Sequence, residues 1–280
     1  MQHSEHIVAE PKIFVNSLPK SGTHLLASAL ALMPDIYMKN LKLNRGLRHH
    51  PLNYILFFNR TTVFAGVDQP RKIKLKTLEY KIKQIRNNSF SIGHMPYDPL
   101  VIDLLNKNRI KTLFMIRDPR DIVVSKMYYN VKRKRHFLHK HYQSLNSDKD
   151  RIKAAILGVK KPNGEMVALG IADKLRSVLA WLQTDNVKSV RFEDLIGDRG
   201  GGDQERQMQS LFSVAAHIGK SLTDEEVAAI GNQMFGQGHT FRSGSIGAWQ
   251  NHFDTELKEL FKKESGDQLI EFGYESNFDW

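Results

Sequence analysis

Apolar and polar positions along this chain follow two alternating patterns: short runs rich in β-branched and aromatic residues, and longer stretches with helical spacing. Residues 13–17 form a short β-rich run, 18–23 break it, and the Ala- and Leu-rich stretch 24–33 follows, which predicts strand, turn and helix. Residues 90–94 predict a second strand, followed by a turn at Met95-Pro96-Tyr97-Asp98-Pro99 and a helix toward Asn106. Residues 110–116 predict a third, after which Asp118 has the chemistry of an N-cap and Pro119 suits the first helical position of a helix reaching about Tyr129. Residues 187–192 supply a fourth strand. Strands alternating with helices predict an α/β fold, a single domain with a central, mostly parallel sheet flanked by helices, whose ligands gather at the carboxyl ends of the strands.

Further helices are expected over 152–157, 168–182, 205–218 and 223–234, the last opened by a Thr223 to Glu226 capping box, with a polar Gly-rich loop at 197–203. Residues 131–147 read as a mobile basic loop, with Lys132, Arg133, Lys134, Arg135 and Lys140 beside His136, His139 and His141. Residues 1–12 read as flexible, and 1–280 as one domain.

Composition narrows the class. Hydrophobic residues at 41% and charged residues at 25% are ordinary globular values, which excludes collagen-like, mucin-like and repeat architectures. With no cysteine the chain has neither disulfides nor cysteine-ligated metal. The first twelve residues lack the apolar region of a signal peptide and the stretch 24–33 is too short to span a bilayer, so a cytoplasmic protein without a transmembrane segment is expected. The net charge of +11 favours anionic ligands, and the absence of zinc-finger, RRM and basic-zipper patterns argues against nucleic acid.

Pro19-Lys20-Ser21-Gly22-Thr23-His24 lies where a strand hands over to a helix, so backbone N–H groups and the positive helix end can converge on an anion, with Lys20 adding a full charge. A Walker A loop places its lysine after the second glycine; here the lysine precedes Ser-Gly-Thr and no upstream glycine is correctly spaced. Taken alone, the hexapeptide is also compatible with a Gly-containing turn carrying a surface lysine. The longer stretch Val15 to His24 resembles the 5′-phosphosulfate loop of sulfotransferases that use 3′-phosphoadenosine 5′-phosphosulfate (PAPS), commonly P-K-S/A-G-T-T-W. The resemblance implies a P-loop-like strand-loop-helix in which Lys20 contacts the bridging oxygen of the donor and Ser21, Gly22, Thr23 and His24 bind its 5′-phosphate. His24-Leu25 replaces the common T-W, so the aromatic that stacks on adenine in many members is missing here.

Arg117-Asp118-Pro119-Arg120-Asp121 through Ser125 again ends a strand and opens a helix, and it is similar to the family's 3′-phosphate motif R-[ND]-P-x-D-x-x-V-S. Arg117 offers a planar guanidinium and Ser125 a hydroxyl, a pair suited to a terminal phosphate; an Asp-capped helix with Arg117 in a surface ion pair fits the same residues. Phe241-Arg242-Ser243-Gly244 through Phe253 resembles the family's R-K-G-x-x-G-D-W-K-x-x-F segment, which implies donor contacts from Arg242, Ser243 and Gly244. Ser243 replaces the usual lysine and Ala248 the usual aspartate, and Trp249 and Phe253 are expected in the core. Arg191-Phe192-Glu193-Asp194-Leu195 resembles R-[YF]-E-D-L, with Phe192 expected near the adenine and Glu193 and Asp194 structural.

Sulfuryl transfer proceeds through a loose in-line transition state in which charge builds on the leaving oxygen, so a placed cation and a base are what the protein must supply. Lys20 is the candidate cation. His94, in a strand-end His-x-Pro that resembles the family's, is the candidate base. The resemblance thus implies a PAPS-dependent sulfotransferase that releases 3′-phosphoadenosine 5′-phosphate (PAP), needs no metal, and acts on a small-molecule, glycan or carrier-bound acceptor through a hydroxyl or amine. Two alternatives remain: a small-molecule kinase with an atypical phosphate loop, and a non-catalytic anion- or glycan-binding domain of the same fold. The basic run 132–140 is expected to guide an anionic acceptor.

Overall fold

The computed structural model describes residues 10–41, 43, 61–236 and 244–280. In chain order the elements that position the site begin with β1 (Lys12–Ser17), α1 (Thr23–Leu32) and β2 (Tyr37–Met38). An antiparallel pair follows, β3 (Thr62–Ala65) and β4 (Arg71–Lys74), then α2 (Leu75–Ile82), β5 (Ser89–Gly93), α3 (Pro99–Lys107) and β6 (Ile110–Ile116). Next come α4 (Pro119–Lys132), α5 (His139–Ser144), α6 (Asp148–Leu157), the short antiparallel pair β7 (Val159–Lys160) and β8 (Met166–Ala168), and α7 (Ile171–Val178). The chain closes with β9 (Val187–Arg191), α8 (Phe192–Leu195), α9 (Gln204–His217), α10 (Asp224–Met234) and α11 (Thr255–Glu271).

Among the described residues the main sheet has five strands in the order β2-β5-β1-β6-β9, all parallel. The register pairs Asn16 with Gly93, Ser17 with Met115 and Ile116 with Arg191, so the carboxyl ends of four strands lie along one edge. Helices cover both faces, which is why the strands are continuous apolar runs. On β1, Phe14 packs into one hydrophobic layer with Phe114 and Trp181, while Ile13 and Val15 enter the opposite layer with Leu26, Leu113, Met115 and Val190.

The helix starts follow their local chemistry. The carboxylates of Asp98 and Asp118 accept from the N–H groups of Leu100 and Arg120, each with proline at the next position, and Thr223 and Glu226 form the full capping box.

Two expectations are corrected. The predicted helix 168–182 is broken into β8, α7 and a 3₁₀ turn over Leu179–Gln183, because the chain turns at Gly170, where a Cβ would meet the carbonyl oxygen of Ile156 at 2.5 Å. The segment 131–147 is not a loop throughout: α4 runs to Lys132, α5 occupies His139–Ser144, and Leu138 and Tyr142 are buried in the core. The strands β3 and β4 were not expected. They are four residues long, and on β3 only Val63 and Ala65 face inward while Thr62 and Phe64 stay exposed, a weak periodic signal. No helix among the described residues is long and apolar enough to cross a membrane.

Candidate active site

A cavity of about 570 Å³ opens at the carboxyl edge of the sheet. Its walls come from the loops after β1, β5, β6 and β9, from α4, and from the β3–β4 turn.

After β1 the chain makes a tight turn in which Lys20 has a left-handed backbone (φ 78°) and Gly22 has φ 95° at the N-cap of α1. Non-glycine residues seldom adopt that region, and such strain concentrates at functional turns. Gly22 is required twice over, since a Cβ there would lie 2.5 Å from the Phe192 ring and 2.9 Å from Met115. Leu25 and Leu26 both donate to the Gly22 carbonyl, so the N–H groups of the preceding residues lie ahead of the helical ladder, at the positive end of α1. Lys20, Gly22, Thr23 and His24 line the cavity, with the Lys20 ammonium 4.7 Å from the centre of the Tyr129 ring. Ser21 does not line it: its N–H donates to the Leu18 carbonyl and its buried hydroxyl makes no hydrogen bond.

After β6, Arg117 is 9% exposed and holds three segments together. It donates to the carbonyls of Lys20 (3.4 Å) and Ser245 (2.9 Å), pairs with Asp121 at 3.5 Å, and lies over Phe192 at 4.1 Å from its centre. Its buried Nε makes no hydrogen bond. Phe192 lines the cavity, lies beneath Arg117 and neighbours Gly22. Ser125 and Gly244 line the same cavity, whereas Arg242 and Ser243 lie outside the described residues.

The C-terminal segment is tied to the start of α4. Asp121 accepts from the N–H groups of Gly247 (3.0 Å) and Trp249 (2.9 Å), and burial raises its pKa. Arg120 is clasped between the rings of Trp249 and Trp280 and pairs with Asp118 and Glu275. Trp249 and Phe253 are buried, as expected of core aromatics.

After β5, His94 reaches the cavity. Its Nδ1 lies 2.9 Å from the Ser17 carbonyl oxygen, which can only accept, so Nδ1 carries the proton and Nε2 keeps the lone pair. Burial lowers its pKa, with the Ser17 bond and the Asp68 carboxylate acting in the opposite sense. The adjoining backbone is pinned by the buried Asn16, whose amide donates to the Met95 carbonyl at 3.0 Å and accepts from the Met95 N–H at 2.8 Å.

The structure adds wall residues with no counterpart in the sequence motifs: Asp68 and Gln69 from the β3–β4 turn, Arg71 from the start of β4, and Lys126, Tyr129 and Asn130 from α4. A signal did exist for one of them. Lys126 interrupts an inward-facing run of Ile122, Val123, Val124 and Met127. From the basic segment it is His136 and Phe137 that line the cavity, while Arg133 and Arg135 are exposed.

Residues 10–273 match the model of the sulfotransferase domain family. The chain belongs to that family. By structure this sulfotransferase domain is similar to mouse sulfotransferase SULT7A1 complexed with PAP (19% identity, TM-score 0.62, covering 95% of this chain and 89% of that one). It is also similar to retinol dehydratase in complex with retinol and PAP (17% identity, TM-score 0.55, covering 93% and 82%). At these identities the likeness is one of fold. No curated protein matches the sequence. In this sulfotransferase domain, then, a lysine, an arginine and a histidine with an available lone pair share one cavity, a set able to neutralise a leaving anion and accept a proton.

Proposed function

We propose that the protein transfers a sulfuryl group from PAPS to a hydroxyl or amine of a small-molecule acceptor, with Lys20 and His94 as the catalytic residues. The observation that carries this is the convergence on one cavity of Lys20, Arg117 and His94, from the ends of three parallel strands.

The residues fit the donor. Arg117, with a buried Nε that makes no hydrogen bond, and Ser125 would hold one phosphate; Gly22, Thr23 and His24 at the positive end of α1 would hold the other, and Ser21 is left with a supporting role in the turn. Phe192 offers a flat apolar wall beside Arg117. PAPS supplies the activated sulfuryl group when bound there.

His94 Nε2 takes the proton of the acceptor as its oxygen or nitrogen forms a bond to sulfur, and the depressed pKa keeps the imidazole neutral for that task. Lys20 stabilises the negative charge that develops on the phosphate side as the old sulfur–oxygen bond breaks, an interaction that strengthens toward the transition state. Retinol dehydratase has been captured with androsterone as well as with retinol, and a small-molecule acceptor is the corresponding reading here.

The experiment has two parts. PAP should raise the melting temperature with EDTA present while ATP does not, and label from the donor should reach an acceptor pool with wild-type protein but not with Lys20→Ala. Transfer unaffected by Lys20→Ala would remove the mechanism; a response to ATP and magnesium alone would favour a kinase.

A further inference from the structure

The cavity has an acceptor side whose charge does not balance. Asp68 on the β3–β4 turn is paired with Lys126 of α4 and with Lys174 of α7, at 3.2 Å for the latter, and both ammonium groups approach the same carboxylate oxygen, Oδ1. Lys126 is 5% exposed and Lys174 3%, so two basic side chains are withdrawn from water against a single carboxylate. Asp68 is the sole acid among the described residues that line the cavity, and Arg71 adds a further cation on the same wall.

A structural tie between the β3–β4 turn, α4 and α7 would need only one lysine and one aspartate. The second lysine has, among the described residues, only the same Asp68 as an acidic partner to offset its desolvation, and burial lowers its pKa to about 7. The histidines nearby add no charge of either sign near pH 7, because burial lowers the pKa of both His94 and His136. A buried excess cation beside a cavity is compensated when an anion enters that cavity.

We propose that Lys126, backed by Lys174, binds an oxyanion group carried by the acceptor, so that the acceptor is a small hydroxy or amino acid, or an equivalent anionic molecule, rather than a neutral one. This rests on the sulfotransfer reading for the role of the ligand, but the anion subsite itself does not. Lys126 lines the cavity and is the direct contact; Lys174 does not line it and, holding its proton more firmly once an anion is bound, adds a second charge through the shared Asp68. The acceptor would be held by its anionic end at Lys126 with its nucleophile toward His94, which is close enough to feel the Lys126 charge.

The test uses the full chain saturated with PAP, so that the phosphate positions are filled, and benzoate against the neutral benzyl alcohol as probes in titration calorimetry. The expected result is benzoate bound about tenfold or more tightly than benzyl alcohol, the effect of one charge-assisted contact. That preference should vanish in Lys126→Met and fall in Lys174→Met, which does not alter the cavity wall, with the Kd for PAP unchanged in both. A wild-type protein that binds the two probes equally, or a preference intact in Lys126→Met, overturns the proposal. Because the wild-type comparison is decisive alone, a variant that fails to fold does not rescue it. Failure of PAP to bind would instead strike the donor assignment.

Discussion

The Nδ1 of His94 donates to the main-chain carbonyl of Ser17 at 2.9 Å, joining the end of β5 to the end of β1. One hydrogen bond thereby fixes the tautomer of the candidate base and the distance between its strand and the Lys20 turn. Since burial lowers the His94 pKa, the neutral form persists below the ordinary histidine value of 6.5. Turnover should be flat through neutrality and fall as pH drops through a pKa below 6.5. In His94→Ala the rate should drop by about 10²–10⁴ and that acid limb should disappear. A pH–rate profile of both proteins checks this.

Asn16 acts on the same base from behind. It makes two hydrogen bonds to the backbone of Met95 and is fully buried. Asn16→Ala leaves the Met95 N–H without that acceptor while Trp181 still donates to the carbonyl, so the stability loss should be about 1–3 kcal/mol. Because the variant loosens the His94 end of the cavity and not the Arg117 end, kcat should fall while the affinity for PAP stays near wild type. Urea denaturation and PAP titration read the two effects separately.

Gly22→Ala joins two penalties, a left-handed φ of 95° and a Cβ 2.5 Å from Phe192. The Arg117 guanidinium covers that ring, so a shift of Phe192 disturbs Arg117. Stability should fall by at least about 1 kcal/mol, and PAP binding should be lost before the fold is. Thermal melts with and without PAP test this: the ligand-induced shift should disappear.

Lys174 has its pKa lowered to about 7, first by burial and then by the charge of Lys126. In the unfolded chain the group keeps its proton to about 10.5. Between those values the unfolded state binds more protons, so this group makes stability rise with pH from about 7 to about 10.5, by at most about 1.4 kcal/mol per pH unit. Below pH 7 both states are protonated and the cost of the buried cation is fully present. Denaturation across pH 7–10 should show the rising slope in wild type and its loss in Lys174→Met.

The parallel sheet and its edge were legible because they depend on local pattern. Residues 110–116 read as a strand and are one, and Asp118-Pro119 opens its helix where capping chemistry demanded. The Lys20 turn, Arg117 and His94 each sit where an apolar run stops, and those stops share an edge in a parallel sheet, but it was the resemblance to the sulfotransferase motifs that singled them out. What local pattern could not carry was the acceptor wall. Asp68, Lys126 and Lys174 are separated by 58 and 48 residues in the chain and by element type, and only packing of the β3–β4 turn against α4 and α7 makes them one cluster. Nor could it place Phe192 beneath Arg117, a contact between the ends of two adjacent strands.

The sequence by itself determined the strands β1, β5, β6 and β9 and the helices that follow the first three, because these follow from short-range sterics and hydrogen bonding, while the family resemblance named Lys20 and His94 as candidate cation and base. The tertiary structure alone decided which charges are buried together and left unbalanced, since desolvation and Coulomb energy depend on distances that the chain sets only when it folds.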